Sequence, residues 1–287
     1  ERCGYLNISK VKNDLFVWLV DKKIKKALWI EGGYKTMSGL LKKYRLAVLK
    51  DSDVKKASGD LYTFFEPFAN YFKSRKLLLV SPDSYTEPIP FEIIGQGKML
   101  SEELKIVYLA SPLLLTHSKG ETLDRVRFVG GEGSGFQSHV EMVAARESGI
   151  STGDSGSSRI AHVTGDILYT SPEKGFLISG RTLASVTGSP DFLYATLDEY
   201  TGAEPIDFAL IARISGTKSA IINTSPVNDL NRGVFAGEFY SSLAKGKSLP
   251  ASFSDALRKT KNDNRYGSPA AWGGFRLYIY NLNLLEE

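Results

Sequence analysis

One cysteine and three histidines bound the nucleophilic and metal chemistry open to this sequence. Cys3 stands alone, so neither an intrachain disulfide nor a cysteine metal cluster can form. His117, His139 and His162 lie far apart with no metal-ligand spacing, and no metal or other cofactor is expected. Two Gly/Ser-rich stretches and an early lysine-rich stretch complete the segments that could do chemistry.

Gly153-Asp154-Ser155-Gly156 has the form of the nucleophile loop of trypsin-like proteases. Those enzymes are all-β and disulfide-braced, whereas this chain alternates helices and strands, and four residues in a Gly/Ser-rich loop recur by chance. Gly130-Gly131-Glu132-Gly133-Ser134-Gly135 follows a strand, where a phosphate loop would lie. Its spacing fails both the dinucleotide fingerprint and the Gly-Lys-Ser/Thr of a P-loop, which leaves a surface loop. Lys22-Lys23-Ile24-Lys25-Lys26 and Lys42-Lys43-Tyr44-Arg45 could touch phosphate or an acidic partner. With no interleaved aromatic stacking platform in the sequence, they read as solvated helix faces, and nucleic acid is not expected as a partner.

The elements that must position any site follow from pattern. The 287 residues, 42% hydrophobic and 24% charged with net charge +4, are ordinary for a globular chain able to bury a sizeable core. No apolar run is long enough for a membrane span. The start, Glu1-Arg2-Cys3-Gly4, has no initiator Met or signal-peptide pattern and reads as a fragment of a longer polypeptide. A single cysteine favours a reducing, cytoplasmic compartment. Short apolar runs at 16–20, 26–29, 77–80, 106–109, 126–129, 160–163, 192–196, 220–224 and 275–280 read as strands. Helical patterns at 61–74, 137–147, 206–214 and 230–245 alternate with them, which predicts a layered α/β fold. Asp229 is the expected N-cap of the 230–245 helix, Gly216 and Gly246 are helix stops, and Ser252 to Asp255 reads as a capping box opening a last helix. The polar stretch from Leu115 to Glu121 predicts a boundary between an N-terminal half, 1–118, and a C-terminal half, 119–287.

Longer segments carry a family likeness. Leu77 to Tyr85 continues into Pro88-Ile89-Pro90-Phe91-Glu92-Ile93-Ile94, read as a buried strand, a Pro-Asp turn and a helix start, and Tyr108 to Ser111 closes a second strand. These resemble the "PDG…LPFE" and "Y-x-x-S" segments of CHAT domains, caspase- and separase-like peptidases, with Ser84 in place of the glycine. Residues 211–240 resemble the family's block of helix, glycine, strand, Pro-Val-x-Asp and Phe-Tyr helix, with Ser225 replacing its tryptophan. Ser268 to Phe275 resembles the "hP-x-x-W-A-x-F" terminus. The matches run in order over about Leu61 to Tyr280. They imply a caspase-like three-layer α/β/α sandwich with a mostly parallel sheet and with the site at the carboxyl edge of two neighbouring strands.

Carried over residue by residue, the likeness places Asp166 where the family's catalytic histidine stands and Thr196 where its cysteine stands. A thiol with a pKa near 8.5 can be held as thiolate by an imidazole; a threonine hydroxyl cannot, and an aspartate is a far weaker base than imidazole. Nearby His162, inside its strand, reads as a packed core histidine, and Asp198 with Glu199 as an exposed loop end or an acidic rim. The resemblance therefore implies a pseudopeptidase with no working catalytic residues. It would be a bacterial interaction or regulatory module binding a protein partner or an upstream TPR-like repeat region. The alternatives are an active hydrolase using Thr196 with Asp166 or His162, and a nucleotide-binding α/β module resting on the glycine loops.

Overall fold

The computed structural model describes residues 3–50, 52–86, 88–96, 98–116, 123–130, 135–153, 158–171, 175–178, 181–182, 187, 190–201, 205–224, 227–263 and 269–285. Of these, only the backbone is described at 130, 135–138, 166–171, 175–178, 181–182, 198–201 and 270–271. Strands β1 (Cys3–Val11), β2 (Asp14–Val20) and β3 (Lys25–Ile30) form an antiparallel meander. Helices α1 (Gly33–Leu49) and α2 (Val54–Tyr62), a 3-10 stretch and the single turn α3 (Ala69–Phe72) lead to β4 (Leu77–Pro82). The turn α4 (Leu100–Glu103) precedes β5 (Lys105–Tyr108). There follow β6 (Arg125–Gly130), α5 (Gly135–Glu147), β7 (Ser151–Thr152), β8 (Ile160–Ser171), β9 (Gly175–Ile178) and β10 (Arg181–Thr182). The chain continues through β11 (Phe192–Thr201), α6 (Pro205–Ile214), β12 (Ser219–Asn223), α7 (Asp229–Ala244) and α8 (Leu249–Asn262). It ends with α9 (Pro269–Trp272), β13 (Phe275–Ile279) and a short 3-10 turn.

These strands form one mixed, mostly parallel sheet in the order β10-β9-β8-β11-β12-β13-β5-β4-β1-β2-β3, with β6 beside the first half of β8 and β7 beside β6. Strands β6, β8, β11 and β12 run parallel; so do β13, β5, β4 and β1; the two sets meet antiparallel at β12 and β13. Helices cover both faces, as the α/β pattern predicts. Strands β12 and β13 are buried at every residue, as expected for strands packed on both sides. On one face, Phe275 of β13 stacks on Phe235 of α7 at 4.1 Å between ring centroids, and α5 and α8 flank α7. On the other, Tyr278 meets Tyr108, Tyr108 meets Phe91, and Phe91 meets Phe65. The sheet is continuous across the boundary expected near residue 118, because β13 pairs with β5; residues 117–122 lie outside the described residues. Among the described residues no helix is long and apolar enough to cross a membrane.

Several expectations are corrected. Strands β8 and β11 run on to Ser171 and Thr201, so positions 166 and 196 lie within strands rather than at their tips. Their polar second halves are held by main-chain pairing, β8 with β9 and with β11, which an apolar-run criterion does not detect. Pro88 to Ile94 makes successive turns rather than starting a helix, since Pro90 disfavours a helical Ile89 before it. Pro67 breaks the 61–74 helix into the end of α2, a 3-10 stretch and α3. The N-cap of α7 is Asn228, whose side chain accepts from Asn231 N. Helix α8 opens at Leu249, with Pro250 in its first turn, so Ser252 to Asp255 lies inside it. Lys42, Lys43 and Arg45 do lie on a solvated helix face, in α1, but Lys22 to Lys26 lie on the β2–β3 hairpin. Gly216 and Gly246 take positive φ of 103° and 80° and end α6 and α7 as expected.

The contact that positions the site is a close approach of α5 to α7. Gly233 of α7 faces Val140 so tightly that a Cβ there would sit 2.5 Å from Val140 Cγ1, and at Gly237 it would sit 3.4 Å from Ala144 Cβ. Gly233→Val is expected to overpack this contact and lower stability by about 1–3 kcal/mol. Urea denaturation with an unchanged m-value checks it.

Candidate functional site

Parallel pairing sets His162 of β8 opposite Tyr194 of β11, and Thr164 opposite Thr196. Side chains two apart on a strand share a face, so all four project toward α5 and α7. Helix α5 lowers Glu141 onto them, and α7 contributes Tyr240. The Thr196 hydroxyl donates to Glu141 Oε2 at 2.8 Å. His162 Nε2 lies 3.3 Å from the same oxygen, within ion-pair range but off the line of a hydrogen bond. His162 Nδ1 lies 3.0 Å from the Tyr240 hydroxyl. The imidazole is sandwiched between Phe128 at 4.7 Å and Tyr194 at 4.2 Å. Glu141, His162, Thr196 and Tyr240 are each 0% exposed.

Burial pushes the Tyr240 and Tyr194 hydroxyls well above their ordinary pKa, and the neighbouring Glu141 carboxylate adds to the shift in both. Tyr240 therefore stays protonated, and its hydroxyl shares one hydrogen bond with Nδ1 in a direction that the ring tautomer sets. A hydroxyl, a carboxylate and an imidazole thus meet as a nucleophile, base and orienting group would. Yet no substrate atom can reach Thr196 in this arrangement. The network is also incompletely satisfied: Glu141 Oε1, His162 Nε2, Thr164 Oγ1 and Tyr194 Oη have no hydrogen-bond partner among the described residues. Each such group costs about 1–3 kcal/mol of desolvation.

Of the residues singled out in the sequence, Thr196 and His162 are brought together. Asp166 lies in β8 two residues beyond Thr164, with its side chain outside the described residues, as are those of Asp198 and Glu199. His139 is exposed on α5, and His117 lies outside the described residues. Most of the two glycine loops, 131–134 and 154–157, also lies outside them. Cys3 starts β1, five strand spacings from β11 in sheet order, or roughly 24 Å. A cleft of about 600 Å³ opens elsewhere, between the start of β5 and α8, lined by Lys76, Glu103, Lys105, Asp255 and Arg258, and none of the buried four lines it. Among the described residues no group of three metal-ligating side chains converges.

Glu141 was not legible as a site residue. Its signal was a carboxylate four residues before Ala145 on the buried stripe of α5. Tyr240 stood out only as half of the Phe-Tyr pair closing α7.

No protein-family model matches the sequence, and none of the curated proteins matches it. Solved structures are similar at low identity. One is the Arg-specific cysteine proteinase gingipain R, at 11% identity and TM-score 0.47, over 78% of this chain and 67% of that one. Another is the complex of Porphyromonas gingivalis RgpB pro- and mature domains, at 10% identity and TM-score 0.44. That match covers 71% of this chain and spans 64% of the other.

Removing its acceptor by Glu141→Ala strands the buried Thr196 hydroxyl, and is expected to lower stability by about 1–3 kcal/mol in urea denaturation. The tyrosines give a pH dependence. Unfolded, each titrates near pH 10; folded, both hold their protons to higher pH. Their contribution is therefore complete below about pH 10 and lost as pH rises beyond it. Tyrosinate absorbance from Tyr194 and Tyr240 is expected to appear together with loss of the circular dichroism signal, not before it.

Proposed function

We propose that this chain is a caspase-like module of the CHAT type that no longer cleaves peptides and acts by binding a protein partner. The observation that carries the reading is Thr196. The resemblance puts it at the nucleophile position, and its hydroxyl is 0% exposed and committed to Glu141. A working nucleophile needs an acidic thiol or an adjacent strong base, together with access; here there is neither a thiol nor an opening. By the same resemblance the module is a bacterial, cytoplasmic one. It would stand downstream of helical repeats and regulate or scaffold a signalling or defence complex.

One observation favours the other reading, hydrolysis by Thr196: the same carboxylate oxygen touches both its hydroxyl and His162. That reading requires α5 to lift and uncover the three. The test incubates the wild-type chain and Thr196→Ala with a broad peptide library and follows cleavage by mass spectrometry. Neither protein is expected to cleave. Cleavage by the wild type that disappears in Thr196→Ala would overturn the proposal.

A further inference from the structure

The far end of the sheet carries a surface that the buried site does not use. In β1 to β3 one face is core: Leu6, Ile8, Leu15, Val17 and Leu19 are all 0% exposed. The other face carries four aromatics among polar and small residues, Tyr5 on β1, Phe16 and Trp18 on β2 and Trp29 on β3. Trp18 is 41% and Trp29 57% exposed. The rings form a continuous row, with centroids 6.5 Å apart from Tyr5 to Trp18, 6.3 Å from Trp18 to Phe16 and 5.9 Å from Phe16 to Trp29.

Both indoles are fixed by their edges. Trp18 Nε1 donates to Asn7 Oδ1 at 2.6 Å, and Trp29 Nε1 donates to Asp14 Oδ2 at 3.1 Å. The clamps are themselves tied down: Asn7 Nδ2 donates to Ser81 O, and Asp14 Oδ1 accepts from Gly32 N. The exposed ring area is thus preorganised, with little rotamer freedom left to lose on binding.

The fringe of this surface is cationic. Lys25 lies on the face of Ala27 and Trp29, and Lys22 and Lys23 form the turn beside it; all three are exposed. None is in an ion pair among the described residues. Two nearby acids face other partners: Asp21 accepts from Lys23 N and Ile24 N and pairs with Arg75, and Asp14 holds Trp29 and Gly32, while Glu31 beyond Trp29 is exposed. In the linear sequence this lysine run lies between Trp18 and Trp29, and the pairing of Phe16 with Trp29 and of Val20 with Lys25 puts run and rings on one surface.

We propose that this face binds single-stranded nucleic acid, with bases stacking on Phe16, Trp18 and Trp29 and phosphates meeting Lys22, Lys23 and Lys25. A row of π-faces edged by unpaired cations fits a flexible polyanion that carries a flat ring every nucleotide. An acidic protein would use the lysines alone.

The full chain is titrated at low salt with fluorescein-labelled oligo(dT) and oligo(U), read by anisotropy and by intrinsic tryptophan emission. Trp272, the third tryptophan, is 1% exposed, so quenching reports Trp18 and Trp29. The expected result is binding of either oligonucleotide with quenching, weakened about tenfold or more by Trp18→Ala with Trp29→Ala. Replacing Lys22, Lys23 and Lys25 by Gln is expected to reduce the salt slope by about 2. Trp18→Phe with Trp29→Phe keeps a stacking ring, and is expected to recover part of the affinity if the alanine protein folds poorly. Absence of binding at low salt, unchanged affinity in both tryptophan variants, or equal competition by polyglutamate would overturn the proposal.

Discussion

The structure depends on the seating of β13 between β12 and β5. Without that strand, β4, β5 and the β1–β3 meander would form one small sheet and β6 to β12 another. The last strand of the chain joins them by pairing antiparallel with β12 and parallel with β5. Its side chains lock both layers. Phe275 stacks on Phe235 on one face, while on the other Arg276, 2% exposed, donates to Ile89 O and lies over the Tyr108 ring at 4.8 Å. Beyond the strand, the Tyr280 hydroxyl donates to Ala209 O of α6. Because β12 is held from one side by β13, β11 and β8 take their register from its other edge, and so does the buried polar cluster.

That cluster places a carboxylate at the centre of a layer otherwise built of aromatic and aliphatic groups. Burying a carboxylate is costly unless its hydrogen bonds are satisfied, and here one oxygen accepts from Thr196 and lies near His162 while the other has no partner among the described residues. Incompletely satisfied networks of this kind contribute less to stability than apolar packing of the same volume. Geometry suited to chemistry and complete closure to solvent coexist at Thr196, and closure decides what the site can do in this conformation.

At the opposite end the logic is inverted. Strand β2 alternates buried and accessible residues, so one face of the meander is core and the other presents its aromatics to solvent. Trp18 and Trp29 are held by side-chain clamps rather than by overlying helices.

Much of this fold is legible in the residues. Apolar runs mark β4, β5, β6, β12 and β13, and Gly216 and Gly246 mark helix ends, because burial on both sheet faces and a positive φ leave local signatures. Strand β1 alternates polar and apolar residues too mildly to stand out. Helix α1 hides its stripe of Met37, Leu41, Tyr44 and Ala47 among lysines. What only the tertiary structure decided is adjacency. Glu141, His162, Thr196 and Tyr240 are separated by tens of residues, and nothing local says that α5 covers β8 and β11. Likewise Phe16 and Trp18 of β2 and Trp29 of β3, which flank the lysine run in sequence, come side by side only through strand register. Local sequence sets which face of an element is apolar; which two faces meet depends on long-range pairing, whose energy no short segment contains.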